Sequence, residues 1–163
     1  MICFSPLKNT REVLPILSRI AIFGGATELQ QDNLFRRLEI GMIKKGEQIF
    51  SKGEEASHIY IVKSGQIELL IPSADVTIHK TKLGVGECFG QVALMSLQPH
   101  AVSAVASADS EIIVLSRRAM HQLRHDDIEL FALLIMNIAR ELARRLKFTD
   151  EMLLDSYHED NPQ

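Results

Sequence analysis

Tryptophan is missing from this chain, and cysteine occurs only twice in 163 residues, at Cys3 and Cys88. Two cysteines so far apart fit neither a disulfide framework nor metal-ligand spacing. The expectation is a reduced chain with one buried and one loose thiol. Charge of one sign is also lacking: charged residues make up 24% of the chain, yet the net charge is only -3. That balance excludes a polyanion-binding surface over the whole molecule. No apolar run approaches the roughly 18 residues of a membrane span. Met1-Ile2-Cys3-Phe4 is too short for the apolar segment of a secretion signal. These absences lead to the expectation of one cytoplasmic domain, without a membrane partner. With 46% hydrophobic residues it can bury a core unaided.

What is present falls into three periodicities. Residues 1–12 show none and read as an arm. Val13–Ile22 reads as a short helix with Pro15 in its first turn. Thr27-Glu28-Leu29-Gln30 matches a capping box, predicting a second helix with Leu29, Leu34 and Leu38 along one stripe. From Ile40 to Ser116 the period becomes two, with turn signals about every ten residues. The strands expected are Ile40–Lys44, Gln48–Ser51, His58–Ser64, Gln66–Ile71, Val76–Lys82, Ala101–Ala106 and Glu111–Leu115. Short strands between glycine turns point to a jelly-roll-like β-roll, and the missing βαβ alternation excludes a parallel nucleotide-binding sheet. Ser116 then caps a helix over Arg117–Leu123. Asp126-Asp127-Ile128-Glu129 opens a long one reaching about Tyr157. The organisation is therefore an arm (1–12), a β-roll with a helical collar (13–125), a long C-terminal helix (126–158) and a tail (159–163). That helix is apolar almost all round in its first half and continues through Leu142, Leu146 and Leu153 near heptad spacing. It predicts homodimerisation, with a hinge to a further domain as the alternative.

One stretch carries chemistry. Cys88-Phe89-Gly90-Gln91-Val92-Ala93-Leu94 breaks at a glycine, and Pro99-His100-Ala101-Val102-Ser103 returns as a strand. Such a turn points several backbone N–H groups into one concavity, which suits an anion. Gly90 would let the main chain come close to a ligand. Ser103 with His100 makes no catalytic triad, because no nucleophile elbow is present. His121 and His125 lack a third metal ligand and read as solvated histidines. Arg140, Arg144, Arg145 and Lys147 read as a solvated basic face, with Glu141 and Arg145 paired at i,i+4. No enzyme motif and no required cofactor or metal is expected.

Together these residues resemble the cyclic-nucleotide-binding domain family. Lys45-Gly46-Glu47-Gln48-Ile49-Phe50 with Lys52-Gly53-Glu54 is similar to the family's G-x-x-[IL]-[FY]-x-x-G-[DE]. Phe89-Gly90-Gln91-Val92-Ala93-Leu94, followed by Pro99 to Ser103, is similar to its F-G-E-[LIV]-A-L…P-R-[AS]-[AS]-[TS]. Gly46, Gly53, Gly65, Gly86 and Gly90 fall at the turns of that roll. The resemblance implies a ligand, cyclic AMP or cyclic GMP, held by Phe89, Gly90, Gln91, Val92, Ala93, His100, Ala101, Val102 and Ser103. It also implies relay of occupancy through the C-terminal helix to an effector protein. Two positions depart from the pattern. The family's glutamate, which accepts from the ribose 2′-hydroxyl, is Gln91; its phosphate-neutralising arginine is His100. Losing a charge-assisted contact of about 1.5–3 kcal/mol would weaken binding at least tenfold. A phosphate beside His100 could keep the ring protonated, so affinity is expected to rise from pH 8 to pH 6. The alternative is a degenerate roll that binds nothing and acts as a dimerisation or interaction module. DNA-binding members place a helix-turn-helix after the long helix; only six residues follow Tyr157, so no DNA partner is expected.

Overall fold

The computed structural model describes residues 2–8, 15, 20–71 and 79–160, with side chains excepted at 79, 80 and 152–160. Two antiparallel sheets face each other, flanked by helices. The first sheet runs in the order β1 (Ser5–Pro6), β2 (Leu38–Ile43), β9 (Ser110–Ser116), β4 (His58–Ser64), β7 (Cys88–Phe89). The second runs β3 (Gln48–Phe50), β8 (Ser103–Ala106), β5 (Ile67–Ile71), β6 (His79–Leu83). Helices are α1 (Glu28–Phe35), α2 (Gln91–Ser96), α3 (Arg117–Asp126) and α4 (Ile128–Asp160). The β-roll with helices at both ends, expected from the period change, is what forms.

Strands β4 and β9 form the central wall, in register from His58↔Ser116 to Val62↔Ile112. Their alternation serves two cores at once. Ile59, Ile61, Ile113 and Leu115 point to the helices, where they meet Leu34, Phe35, Leu123, Leu130, Leu134 and Ile138. Tyr60, Val62, Ile112 and Val114 point to the second sheet and meet Phe50, Ile67, Phe89 and Ala104. All five glycines expected at turns have positive φ. Three of the turns share one device: Glu47, Glu54 and Glu87 each accept the backbone N–H three residues back, from Lys44, Ser51 and Gly84. A glycine followed by glutamate thus closes its own turn.

Several expectations are corrected. Residues 2–8, read as an arm, add an edge strand to β2, Ser5 opposite Ile40. A two-residue bridge is too short for periodicity to reveal. The helix expected over Val13–Ile22 lies largely outside the described residues, although Ile20 is fully buried and Ala21–Phe23 is a 3-10 turn. The Thr27–Gln30 capping box is present. Yet α1 ends at Phe35, Leu29 is 80% exposed, and Leu38 opens β2 rather than extending the helix. The reason is spacing: 29, 34 and 38 drift off one helical face, and Leu34 with Phe35 supplies the buried contact. Of the strand expected over Val76–Lys82, residues 76–78 lie outside the described residues. The strand expected from Ala101 begins at Ser103.

The long helix starts at Ile128, with Asp127 as the capping carboxylate: its Oδ1 accepts the Leu130 amide at 2.9 Å. At 1.5 Å per residue its 33 residues span roughly 50 Å. Leu130, Leu134 and Ile138 are buried, and Leu142 is packed partly against the same core. Asn137 ties the helix to the 3-10 turn through the Ile22 and Gly24 carbonyls, at 3.2 and 2.8 Å. Leu142 is therefore an inward residue. The outward row is Ala132, Met136, Ala139, Ala143 and Leu146, all exposed. The expected seam through Leu142 merged the two faces.

Candidate functional site

Gly90 sits between β7 and α2 at φ 81°, in the left-handed region. A Cβ there would lie 2.8 Å from the Tyr60 ring and 2.9 Å from the His58 carbonyl. Only glycine permits that approach. The turn that follows aims α2 toward the second sheet. By helix geometry the first amides of α2 have no intrahelical acceptor. Among the described residues nothing takes the amides of Val92 and Ala93.

Beside this turn lies a cavity of about 290 Å³. Phe89, Gly90, Gln91, Val92, Ala93, His100, Ala101 and Val102 all line it. Ser103 does not; its hydroxyl accepts the Lys52 amide at 2.9 Å, stitching β8 to the Lys52-Gly53 turn. Strand alternation sends it to the face away from the cavity. The remaining lining comes from Phe50, Leu69, Ser96, Gln98, Pro99 and Arg145. The floor is aromatic: Phe50 and Phe89 line it with ring centroids 6.0 Å apart, and Tyr60 packs against them at 5.4 and 5.0 Å.

Gln91 is 1% exposed. Its Nε2 makes a long contact to the Cys88 carbonyl at 3.4 Å, and its Oε1 has no partner. A buried, unpaired acceptor costs about 1–3 kcal/mol. Native folds keep such groups rarely, and here it lines a cavity.

His100 is buried, its ring stacked on Phe50 with centroids 3.7 Å apart and planes 8° from parallel. Its backbone is fixed to the Gly-Glu turn: its N–H donates to the Glu54 carbonyl and its C=O accepts from Gly53. Burial pushes its pKa below the ordinary value, partly opposed by the Glu54 carboxylate. In these surroundings the ring is neutral at pH 7. Cys88 is likewise buried, its thiol pushed up to about 12, so it is an inert core residue. Cys3 is exposed.

The sequence reading missed Arg145. It lies on α4, 57 residues from Cys88, yet its guanidinium donates to the Cys88 carbonyl at 2.9 Å. It also binds Glu141 at 3.1 Å, the i,i+4 pair expected from sequence. The helical period could place Arg145 beside Glu141, but only the tertiary fold places it at the cavity. Elsewhere His121 and His125 adjoin with ring centroids 4.8 Å apart. No group of three metal-ligating side chains exists among the described residues. No described helix is long and apolar enough to cross a membrane.

The model of the cyclic nucleotide-binding domain matches residues 42–127, just over half of the chain. This chain belongs to that family. The cAMP-dependent protein kinase regulatory subunit of Eremothecium gossypii is 34% identical over 86 residues, covering 53% of this chain and 18% of that protein. The cyclic AMP receptor protein of Thermus thermophilus is 30% identical over 142 residues, covering 85% and 63%. The chain thus spans less than two thirds of the length of these relatives. Among solved structures, a cyclic nucleotide-binding domain from Methylobacillus flagellatus superposes with TM-score 0.82 at 20% identity, covering 96% and 88% of the two chains. The Thermus thermophilus catabolite activator protein superposes with TM-score 0.74 at 29% identity, covering 85% and 64%. The fold and family expected from the glycine turns and the Phe89–Ser103 segment are confirmed.

Proposed function

We propose that this chain is a non-enzymatic, ligand-sensing regulatory domain that takes a cyclic nucleotide into the cavity beside α2. Gln91 carries the reading: a buried acceptor without a partner, at the position where the family's glutamate meets the ribose hydroxyl. An amide oxygen still accepts from a hydroxyl. The Val92 and Ala93 amides and the His100 ring face the cyclic phosphate, while Phe89, Gly90, Ala101 and Val102 complete the wall. The relatives named for cyclic AMP support the ligand class, cyclic AMP or cyclic GMP. Occupancy is passed to α4, which carries it to an effector protein, provided the ligand binds two positions of that helix with different affinity. Isothermal titration of the purified chain with cyclic AMP and cyclic GMP tests this reading. At about 100 times its dissociation constant, a ligand adds roughly 2.7 kcal/mol of stability. No heat and no thermal shift with either nucleotide would leave the dimerisation module as the function.

The outward row of α4 supports a second copy as partner. Ala132, Met136, Ala139, Ala143 and Leu146 recur at alternating spacings of four and three, the heptad pattern, and all are exposed. Alanines in such a row let two helices approach closely. Light scattering across a dilution series should show a dimer that Leu146→Asp dissociates. A monomer at every concentration would exclude it.

A further inference from the structure

We infer that Arg145, on the long helix, is the counter-charge for the ligand's anion, in place of the arginine that the strand turn lacks. The inference rests on the ligand-sensing reading above. Arg145 is the one permanently charged residue lining the cavity among the described residues. Gln91 is uncharged, and His100 is stacked flat on Phe50 and neutral at pH 7. A singly charged phosphodiester entering this cavity meets a mostly apolar wall and one guanidinium.

The charge on that guanidinium is not cancelled locally. Among the described residues Glu141 is the only carboxylate bonded to it, and Glu141 is shared: it accepts from Arg144 at 2.9 Å and from Arg145 at 3.1 Å. Burial raises the Glu141 pKa, but the two arginines outweigh that and hold it below its ordinary value. One carboxylate between two guanidiniums leaves one surplus positive charge. The other contact of its guanidinium is to a neutral acceptor, the Cys88 carbonyl at the start of the turn. The side chain is 35% exposed, so it has room to turn from that carbonyl to an anion. The same side chain then touches the ligand and belongs to the moving helix, so counter-charge and relay reside in one residue.

Calorimetric titration with cyclic AMP of the wild type, Arg145→Gln and Arg145→Lys tests this, each at low and high sodium chloride. Arg145→Gln is expected to lose about ten- to a hundredfold in affinity, the worth of one charge-assisted contact. Its remaining affinity should no longer weaken as salt is raised, whereas the wild type weakens. Arg145→Lys should stay within about tenfold of the wild type if Arg145 carries the charge. Hydrogen exchange across 141–149 should slow on ligand addition in the wild type and not in Arg145→Gln. Affinity of Arg145→Gln within threefold of the wild type, or an unchanged salt dependence, overturns the assignment while leaving the sensor reading intact. Should Arg145→Gln fold poorly, Arg145→Lys decides: a loss beyond tenfold in a folded Lys variant overturns it. A wild type that binds neither cyclic AMP nor cyclic GMP overturns both.

Discussion

The two faces of the β4–β9 wall differ in kind. On the helix side, Ile59, Ile61, Ile113 and Leu115 interlock with leucines and isoleucines from five helical elements. On the sheet side, Tyr60, Val62, Ile112 and Val114 meet aromatic rings, and the packing stops short at a cavity of about 290 Å³. Among the described residues, the one buried side-chain polar atom without a partner on the closed side is the Arg37 Nε; the cavity side keeps an unpaired Gln91 Oε1. One wall therefore separates a stabilising core from a binding space. A residue's parity along β4 decides which of the two it serves.

The sharpest way to break this comparison is Ile61→Ala. It removes a fully buried side chain from the closed face and should cost about 2–5 kcal/mol in urea unfolding. Little change there would mean the helix side is not the stabilising core. Gly90→Ala strikes the hinge between the two faces. A Cβ at positive φ, against the Tyr60 ring and the His58 carbonyl, should cost roughly 1–3 kcal/mol and erase any cyclic AMP response. A variant that melts like the wild type and still binds would show that the close approach is dispensable.

The pH dependence sharpens the same contrast, because burial disfavours the charged form of both histidine rings on that side of the wall. Burial lowers the pKa of His100 and of His58, with Glu54 and Glu39 respectively opposing it. The unfolded chain then binds more protons than the native one below the ordinary histidine value of about 6.5. The stability from neutral rings is present above that pH and is lost as pH falls through the lowered folded values. Chemical denaturation at pH 7.5 and pH 5.5 should show the drop, and His100→Phe should reduce it. A flat profile in the wild type would contradict the burial of these rings.

The smallest effect lies at the cavity rim. Leu97 ends α2 in the left-handed region, at φ 55°, with its side chain largely exposed. Leu97→Gly should stabilise by up to about 1 kcal/mol, because glycine tolerates that conformation. Destabilisation on thermal melting would mean the leucine is held there by contacts that matter more.

The roll was legible because its turns are written locally. A glycine with glutamate behind it specifies a turn within four residues, and Thr27 with Gln30 specifies a helix start. The cavity residues were legible for the same reason, since Phe89 to Ala93 and His100 to Val102 lie on either side of one short helix. Ser103, which the family pattern suggested, lies one position past the cavity wall. What stayed hidden depends on distance along the chain. β1 and β7 are two-residue bridges whose partners define them. Leu142 and Leu146 look equivalent in a heptad count, yet only packing against the roll turns one inward. Arg145 looked like a solvated charge because nothing near it in sequence mentions Cys88.

The measurement that reaches the central claim most directly is a thermal-shift series with cyclic AMP on the wild type and Gln91→Leu. Replacing Gln91 removes an unpaired acceptor, and the Cys88 carbonyl keeps its Arg145 donor. Without nucleotide, Gln91→Leu should therefore be the more stable protein, by about 1 kcal/mol. With nucleotide, only the wild type should gain. A wild type indifferent to cyclic AMP, or a leucine variant that responds equally, would contradict a site built around Gln91.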